Sequence, residues 1–123
     1  MTKNFKLKEF ECKGGCDMPL EVYENIIKLA GQLQFLRDYT GRPITINSAY
    51  RCPEHNAKVG GSKTSQHKLG KAADITIQSL KPAEVYALIE ELIDMGHLLQ
   101  GGLGLYDTFV HYDIRKTKAR WNG

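Results

Sequence analysis

The sequence predicts an α+β domain, a small antiparallel sheet with helices packed on it. Three observations predict it. Two segments carry apolar residues at helical spacing, four others show the β-branched or alternating pattern of strands, and the length of 123 residues suits one compact domain, spanning 1–123. Residues 1–18 read as an irregular segment packed on that domain. A short strand is expected at Phe5–Phe10, with Phe5, Leu7 and Phe10 facing inward. From Pro19 a helix is expected, with Val22, Ile26, Ile27, Ala30, Leu33 and Leu36 as its apolar face; Gly41-Arg42-Pro43 ends it.

"ITINSAY" then reads as a strand, with Ile44 and Ile46 on one face. "PEHNAKVGG" is a short helical turn closed by Gly60-Gly61, "GSKTSQ" a polar loop, and "KAADITIQ" a second strand. A second long helix should run from Pro82 to Met95, with Val85, Leu88, Ile89 and Leu92 buried, Ser79 as N-cap and Gly96 after its end. "GGLGLY" and "TFVHYDIR" follow as a tight hairpin turning at Asp107.

Composition narrows the function. The hydrophobic share of 41% and charged share of 25% are those of a globular protein. The net charge of +3 is spread along the chain, which argues against a nucleic-acid binder. The densest basic runs, Lys3 to Lys8 and Arg115 to Arg120, read as solvated surface. No apolar run is long enough to span a bilayer and no signal-peptide core is visible, so a soluble monomer is expected. The three cysteines, Cys12, Cys16 and Cys52, are an odd number and argue against a closed disulfide framework. Cys12 and Cys16 are expected as unpaired thiols beside a Gly-Gly turn. Metal ligation by the pair and closure of a small disulfide loop are the alternatives.

Of four histidines, His97 follows a helix end and His55 lies in a polar turn, so both are expected at the surface. His67 and His111 differ. His67 closes a polar loop just before a strand. Asp74 lies within the strand "AADITI", where a carboxylate is costly unless paired or bound to a metal. In "FVHYDI", alternation places His111 and Asp113 on the face of Phe109. Two histidines and a carboxylate form a ligand set suited to a catalytic zinc, although this spacing is no general zinc signature.

The segment "SQHKLGKAAD" fits Ser-x-His-x-x-Gly-x-Ala-x-Asp at Ser65, His67, Gly70, Ala72 and Asp74. Together with "FVHYDIR" downstream and "ITINSAYRCPEHNAKVGG" upstream, it resembles the zinc D-Ala-D-Ala carboxypeptidase family, over residues 5 to 121. Those enzymes share a metal-site plan with the lysostaphin-type and Hedgehog folds. The greatest similarity is to the short, single-domain group of phages and prophages. The resemblance implies zinc held by His67, Asp74 and His111. It implies Arg51 as the group that binds a substrate carboxylate or developing oxyanion. It implies Ser65 as a residue that helps orient His67. The implied substrate is the peptidoglycan stem peptide, reached after release from an infected cell.

The sequence departs from the family at the general base. Where an acid three residues before the last zinc histidine is common, this chain has Thr108, and where His-x-His occurs, it has Phe109. Asp113 is the expected base, because it shares a face with His111; Asp107 is the alternative. Two functions follow. One is a zinc peptidase that cuts D-Ala-D-Ala, L-Ala-D-Glu or a cross-link. The other is a zinc-stabilised, catalytically weak module that binds cell wall.

Overall fold

The computed structural model describes residues 1–123 as three helices and one five-stranded sheet. Helix α1 (Leu20–Thr40) buries Val22, Ile26, Leu29, Ala30, Leu33 and Leu36. Leu29 takes the place expected for Ile27, which is 46% exposed. Residue 29 is three positions from Ile26 and shares its face; residue 27 is rotated a further 100° or so and leaves it. Gly41 closes the helix in the left-handed conformation, its N–H donating to Arg37 O at 3.0 Å.

Strand β1 (Ile44–Ser48) follows, then a short helix α2 (Pro53–Lys58) with proline in its first turn. Strand β2 (Ala72–Ile77) is covered on both faces. Helix α3 (Pro82–Asp94) begins after Lys81, not after Ser79, whose φ of +67° places it in the preceding turn. Strands β3 (Gly102–Leu105), β4 (Val110–Asp113) and β5 (Ala119–Asn122) complete the chain.

The strand order is β1-β2-β4-β3-β5. Every pairing is antiparallel except β3 with β5, which is parallel. The sheet is thus mixed rather than wholly antiparallel, because β5 lay hidden in the basic stretch read as solvated surface. Its Arg120 is partly buried, donating to Gly101 O at 2.6 Å and pairing with Glu90 at 2.9 Å. The β3–β4 turn is also longer than expected, closing with Tyr106 N–H to Phe109 O at 3.1 Å.

The N-terminal segment holds a 3-10 turn, Leu7–Phe10, in place of the expected strand. Its inward residues are Phe5 and Phe10, packed edge to face at 6.1 Å. Phe10 O accepts from Tyr50 N–H at 3.1 Å, which ties this segment to the end of β1. That contact brings Cys52 beside Cys16. The two form a disulfide across 36 residues, and Cys12 is left as a buried thiol. The expectation of unpaired Cys12 and Cys16 is therefore corrected for Cys16. Its partner comes from a tertiary contact that local spacing does not reveal.

Candidate metal centre

Cross-strand register builds the site. Asp74 of β2 lies directly opposite His111 of β4, His111 opposite Gly104 of β3, and Gly104 opposite Trp121 of β5. Directly opposed residues point to the same side of a sheet, so this row delivers a carboxylate, an imidazole and an indole to one face. Gly104 supplies the space between them: a Cβ there would collide with the Trp121 indole. One row along, Asp113 lies opposite Gly102, and a Cβ on Gly102 would strike the Asp113 carboxylate. The two glycines strip β3 of side chains where the neighbouring strands need room.

His67 enters from the loop before β2. Ser65 caps the short 3-10 turn Gln66–Leu69, its hydroxyl accepting from His67 N–H at 3.1 Å. Gly70 ends that turn with φ +73°, packed so closely on α1 that a Cβ would meet Val22. His67 O accepts from Arg51 N–H at 3.0 Å, fixing the two loops together.

The protonation pattern of the site follows from its partners. His67 Nδ1 lies 2.7 Å from Ala49 O, and a carbonyl only accepts, so Nδ1 carries the proton and Nε2 presents a lone pair. His111 Nε2 lies 2.7 Å from Asp113 Oδ2, so that nitrogen donates and Nδ1 presents a lone pair. His67 Nε2 and His111 Nδ1 then stand 3.2 Å and 3.1 Å from the same atom, Asp74 Oδ1. With both rings neutral, three acceptors converge on one point, and either a metal ion or an added ring proton that donates to Asp74 reconciles them. Ligands about 2.0–2.1 Å from a tetrahedral zinc lie roughly 3.3 Å apart, close to both distances. The residues present therefore fit the metal: His67 Nε2, Asp74 Oδ1 and His111 Nδ1 form one cluster able to hold an ion.

Without a metal, protons take up part of this charge. Burial by itself would raise the Asp74 pKa, but hydrogen bonds from His111 and His67 outweigh it and hold the group at about 2. Burial would lower His111, but Asp113 and Asp74 push it above its ordinary value. Asp113 is likewise held below the usual carboxylate range; burial opposes this, and His111 and Arg115 prevail.

Asp113 shares the face of His111 but does not line the cleft. Its side chain is wholly buried, bonded to His111 Nε2, to Gly102 N–H at 2.8 Å and to the Arg115 guanidinium at 2.7 Å and 2.9 Å. Asp107 is exposed in the β3–β4 turn and lines a separate depression with Lys81 and Asn122. The cleft over the three ligands has a volume of about 540 Å³, and Asp74 is the one carboxylate among its walls.

Arg51 stands at one side of that cleft. Its Nη2 is 3.6 Å from Asp74 Oδ2, and its Nη1 donates to Asn56 Oδ1 at 3.2 Å. Its Nε is buried without a hydrogen-bond partner, and the guanidinium is among the groups that line the cleft. Gly61 makes room for this group, since a Cβ there would meet both Asn56 and Arg51.

The opposite wall is aromatic, and sequence reasoning missed it. Tyr106 and Phe109 stack at 4.4 Å, Trp121 Nε1 donates to Tyr106 Oη at 3.0 Å, and Trp121 lies 5.0 Å from the His111 ring. The signal available was the alternation of "ARWN" after a turn, masked by the surrounding lysines and arginines. His97 is exposed and stacked on Phe35, as expected of a helix-end histidine, whereas His55 packs against Gly14.

An α+β domain whose central strands and one loop aim a His-Asp-His set into an open cleft has the architecture of a mononuclear metallopeptidase. The chain belongs to the Peptidase M15 family, a family of zinc peptidases, whose model matches residues 1–113. The match ends at Asp113, so Arg115 and Trp121 lie beyond it. No curated protein matches the chain. No helix is long and apolar enough to cross a membrane.

Proposed function

We propose that this protein is a zinc peptidase that hydrolyses a peptide bond of the peptidoglycan stem peptide. The observation that carries the reading is the convergence of three potential ligand atoms, His67 Nε2, Asp74 Oδ1 and His111 Nδ1, in a cleft that the Arg51 guanidinium also lines. Two imidazoles and one carboxylate suit zinc, which supplies an activated water at neutral pH and polarises a carbonyl.

The chain's own residues do the rest. Arg51 binds a substrate carboxylate or the oxygen that gains charge at the scissile carbon; a forked guanidinium suits either. Tyr106, Phe109 and Trp121 form a flat wall against which a peptide can lie while its polar groups face Arg51. Asp113 accepts the His111 Nε2 proton and so directs the Nδ1 lone pair toward Asp74. We assign it this positioning role in place of the general-base role that strand alternation suggested, because its carboxylate is fully engaged behind His111.

A second reading has one observation in its favour. No carboxylate apart from Asp74 lines the cleft, so proton transfer from water lacks its usual acceptor. On that reading the protein is a zinc-stabilised wall-binding module with weak turnover.

Digestion of purified peptidoglycan of several chemotypes, followed by amino-group release and muropeptide masses, separates the two. Release that is abolished by chelator and by His67→Ala supports the peptidase and names the bond. Wall binding with one zinc at this centre and no release from any chemotype supports the module.

A further inference from the structure

A second group of potential metal ligands lies apart from the cleft, where residues 1–18 meet the loop after β1. The Sγ atoms of Cys12, Cys16 and Cys52 all lie within 4.8 Å of one another. Cys12 and Cys52 are buried and Cys16 is partly buried. The Cys16–Cys52 bridge uses two of the three sulfurs and leaves Cys12 Sγ 3.8 Å from Cys52 Sγ. Sulfurs about 2.3 Å from a tetrahedral zinc stand roughly 3.8 Å apart. The free thiol thus already sits at the separation of two ligands on one metal.

The local chain is built to present these atoms together. Gly15 adopts φ +82° and its N–H donates to Cys12 O at 3.0 Å, a tight turn that folds Cys16 back onto Cys12. Cys52 arrives from the other side, at the start of α2. His55 lies three residues on, one helical turn away, and its ring packs over the turn: a Cβ on Gly14 would lie 2.8 Å from His55 Nδ1. The spacing Cys-x3-Cys and Cys-x2-His offers a Cys3His composition, of the kind structural zinc sites use; the three sulfurs already lie together, and the His55 ring, beside Gly14, has to turn toward them to complete it.

We propose that, in the reduced protein, Cys12, Cys16 and Cys52 bind a structural zinc ion as thiolates, with His55 as the fourth ligand. Bridge and metal are alternatives. A dithiol reductant delivers two electrons and two protons to the Cys16–Cys52 bond, is itself oxidised to a disulfide, and leaves two thiols. Zinc then displaces the protons of the three thiols. Sulfur-rich donors select zinc over magnesium or calcium. The role is mechanical: the ion pins the N-terminal segment to the residue next to Arg51, so this site holds one wall of the cleft.

The test uses the full-length protein, reduced and kept anaerobic, and measures zinc per chain and the absorption of the cobalt(II)-substituted form. Two zinc ions per chain are expected, with a thiolate-to-cobalt charge-transfer band in the near ultraviolet. Cys12→Ser should lower zinc to one per chain and abolish the band. His67→Ala should also lower zinc to one but keep the band, so failure of the cleft site and failure of this site are distinguishable. His55→Ala should keep the band and weaken zinc binding at least tenfold. The wild-type spectrum alone decides the matter if Cys12→Ser does not fold. The proposal is overturned if fully reduced wild-type protein shows no thiolate-to-cobalt band, or if its three thiols stay freely reactive in the presence of excess zinc.

Discussion

Asp113 Oδ2 stands 2.7 Å from His111 Nε2, on the side of the imidazole opposite Asp74. This pair sets the tautomer of His111 and with it the direction of the Nδ1 lone pair. Asp113 is in turn fixed by Arg115 and by the Gly102 N–H, so its own position is over-determined.

Asp113→Asn should therefore weaken zinc binding at the cleft by about 10- to 100-fold. Zinc titration against a competing chelator measures this. With zinc restored to saturation, the acid limb of the pH–rate profile should keep its midpoint. Loss of that limb at full zinc occupancy would return Asp113 to the role of base.

Arg51→Ala should leave zinc content intact and lower kcat/KM by about 10²- to 10³-fold, the usual cost of one oxyanion-directed donor. Arg51→Lys should recover little, since an ammonium lacks the fork that reaches Asn56 and an incoming carboxylate together. Steady-state kinetics on stem peptides with free and amidated C-termini tells which group Arg51 binds. A defect confined to the free acid identifies the carboxylate.

The metal-free protein should lose stability toward both acid and base. Asp74 is depressed from 3.8 to about 2, so its contribution is complete above the ordinary value and is lost as pH falls through about 2. That shift corresponds to about 2 kcal/mol. His111 is raised, so its contribution is complete below its ordinary value and is lost as pH rises through the folded one. Thermal melts with chelator should show a maximum near pH 5 and a lower Tm at pH 8. Zinc competes with the His111 proton, so melts with zinc should show the stabilisation growing from pH 5 to pH 8.

Gly104→Ala should push Trp121 off His111, because the added methyl occupies the indole's place. KM for stem peptide should rise several-fold with zinc stoichiometry unchanged. Trp121→Ala should reproduce the KM effect without the strain. If Trp121→Ala leaves KM unaltered, the aromatic wall is not a substrate surface.

One half of this site, His67 and Asp74, was legible along the chain because the two lie seven residues apart. Asp74 in an apolar strand and His67 in the loop before it announce themselves by the cost of burying a charge and by the small residues around them. The helix faces were legible but for their edges: Leu29 replaces Ile27 in α1, and in α3 Ile93 is buried where Leu88 is only half-buried, since periodicity fixes a face but not its edge. Strand β5 escaped because its polar residues look solvated until Arg120 is seen to reach Glu90 and Gly101.

By itself the sequence determined the α+β class and pointed to His67, Asp74, His111 and Arg51, which the structure brings to one cleft. The class follows from the periodicity of helices and strands, whereas the ligand set and Arg51 follow from the resemblance of "SQHKLGKAAD", "FVHYDIR" and "AYRCPEHN" to a family, since spacing alone left a metal site open. Only the tertiary structure decided what Asp113 touches, which cysteine meets which, and that Trp121 walls the cleft. Each depends on strand register or on a contact across dozens of residues. Alternation says which face a side chain takes, but not whether that face at that row opens to the cleft or is closed by Gly102, Arg115 and the back of His111.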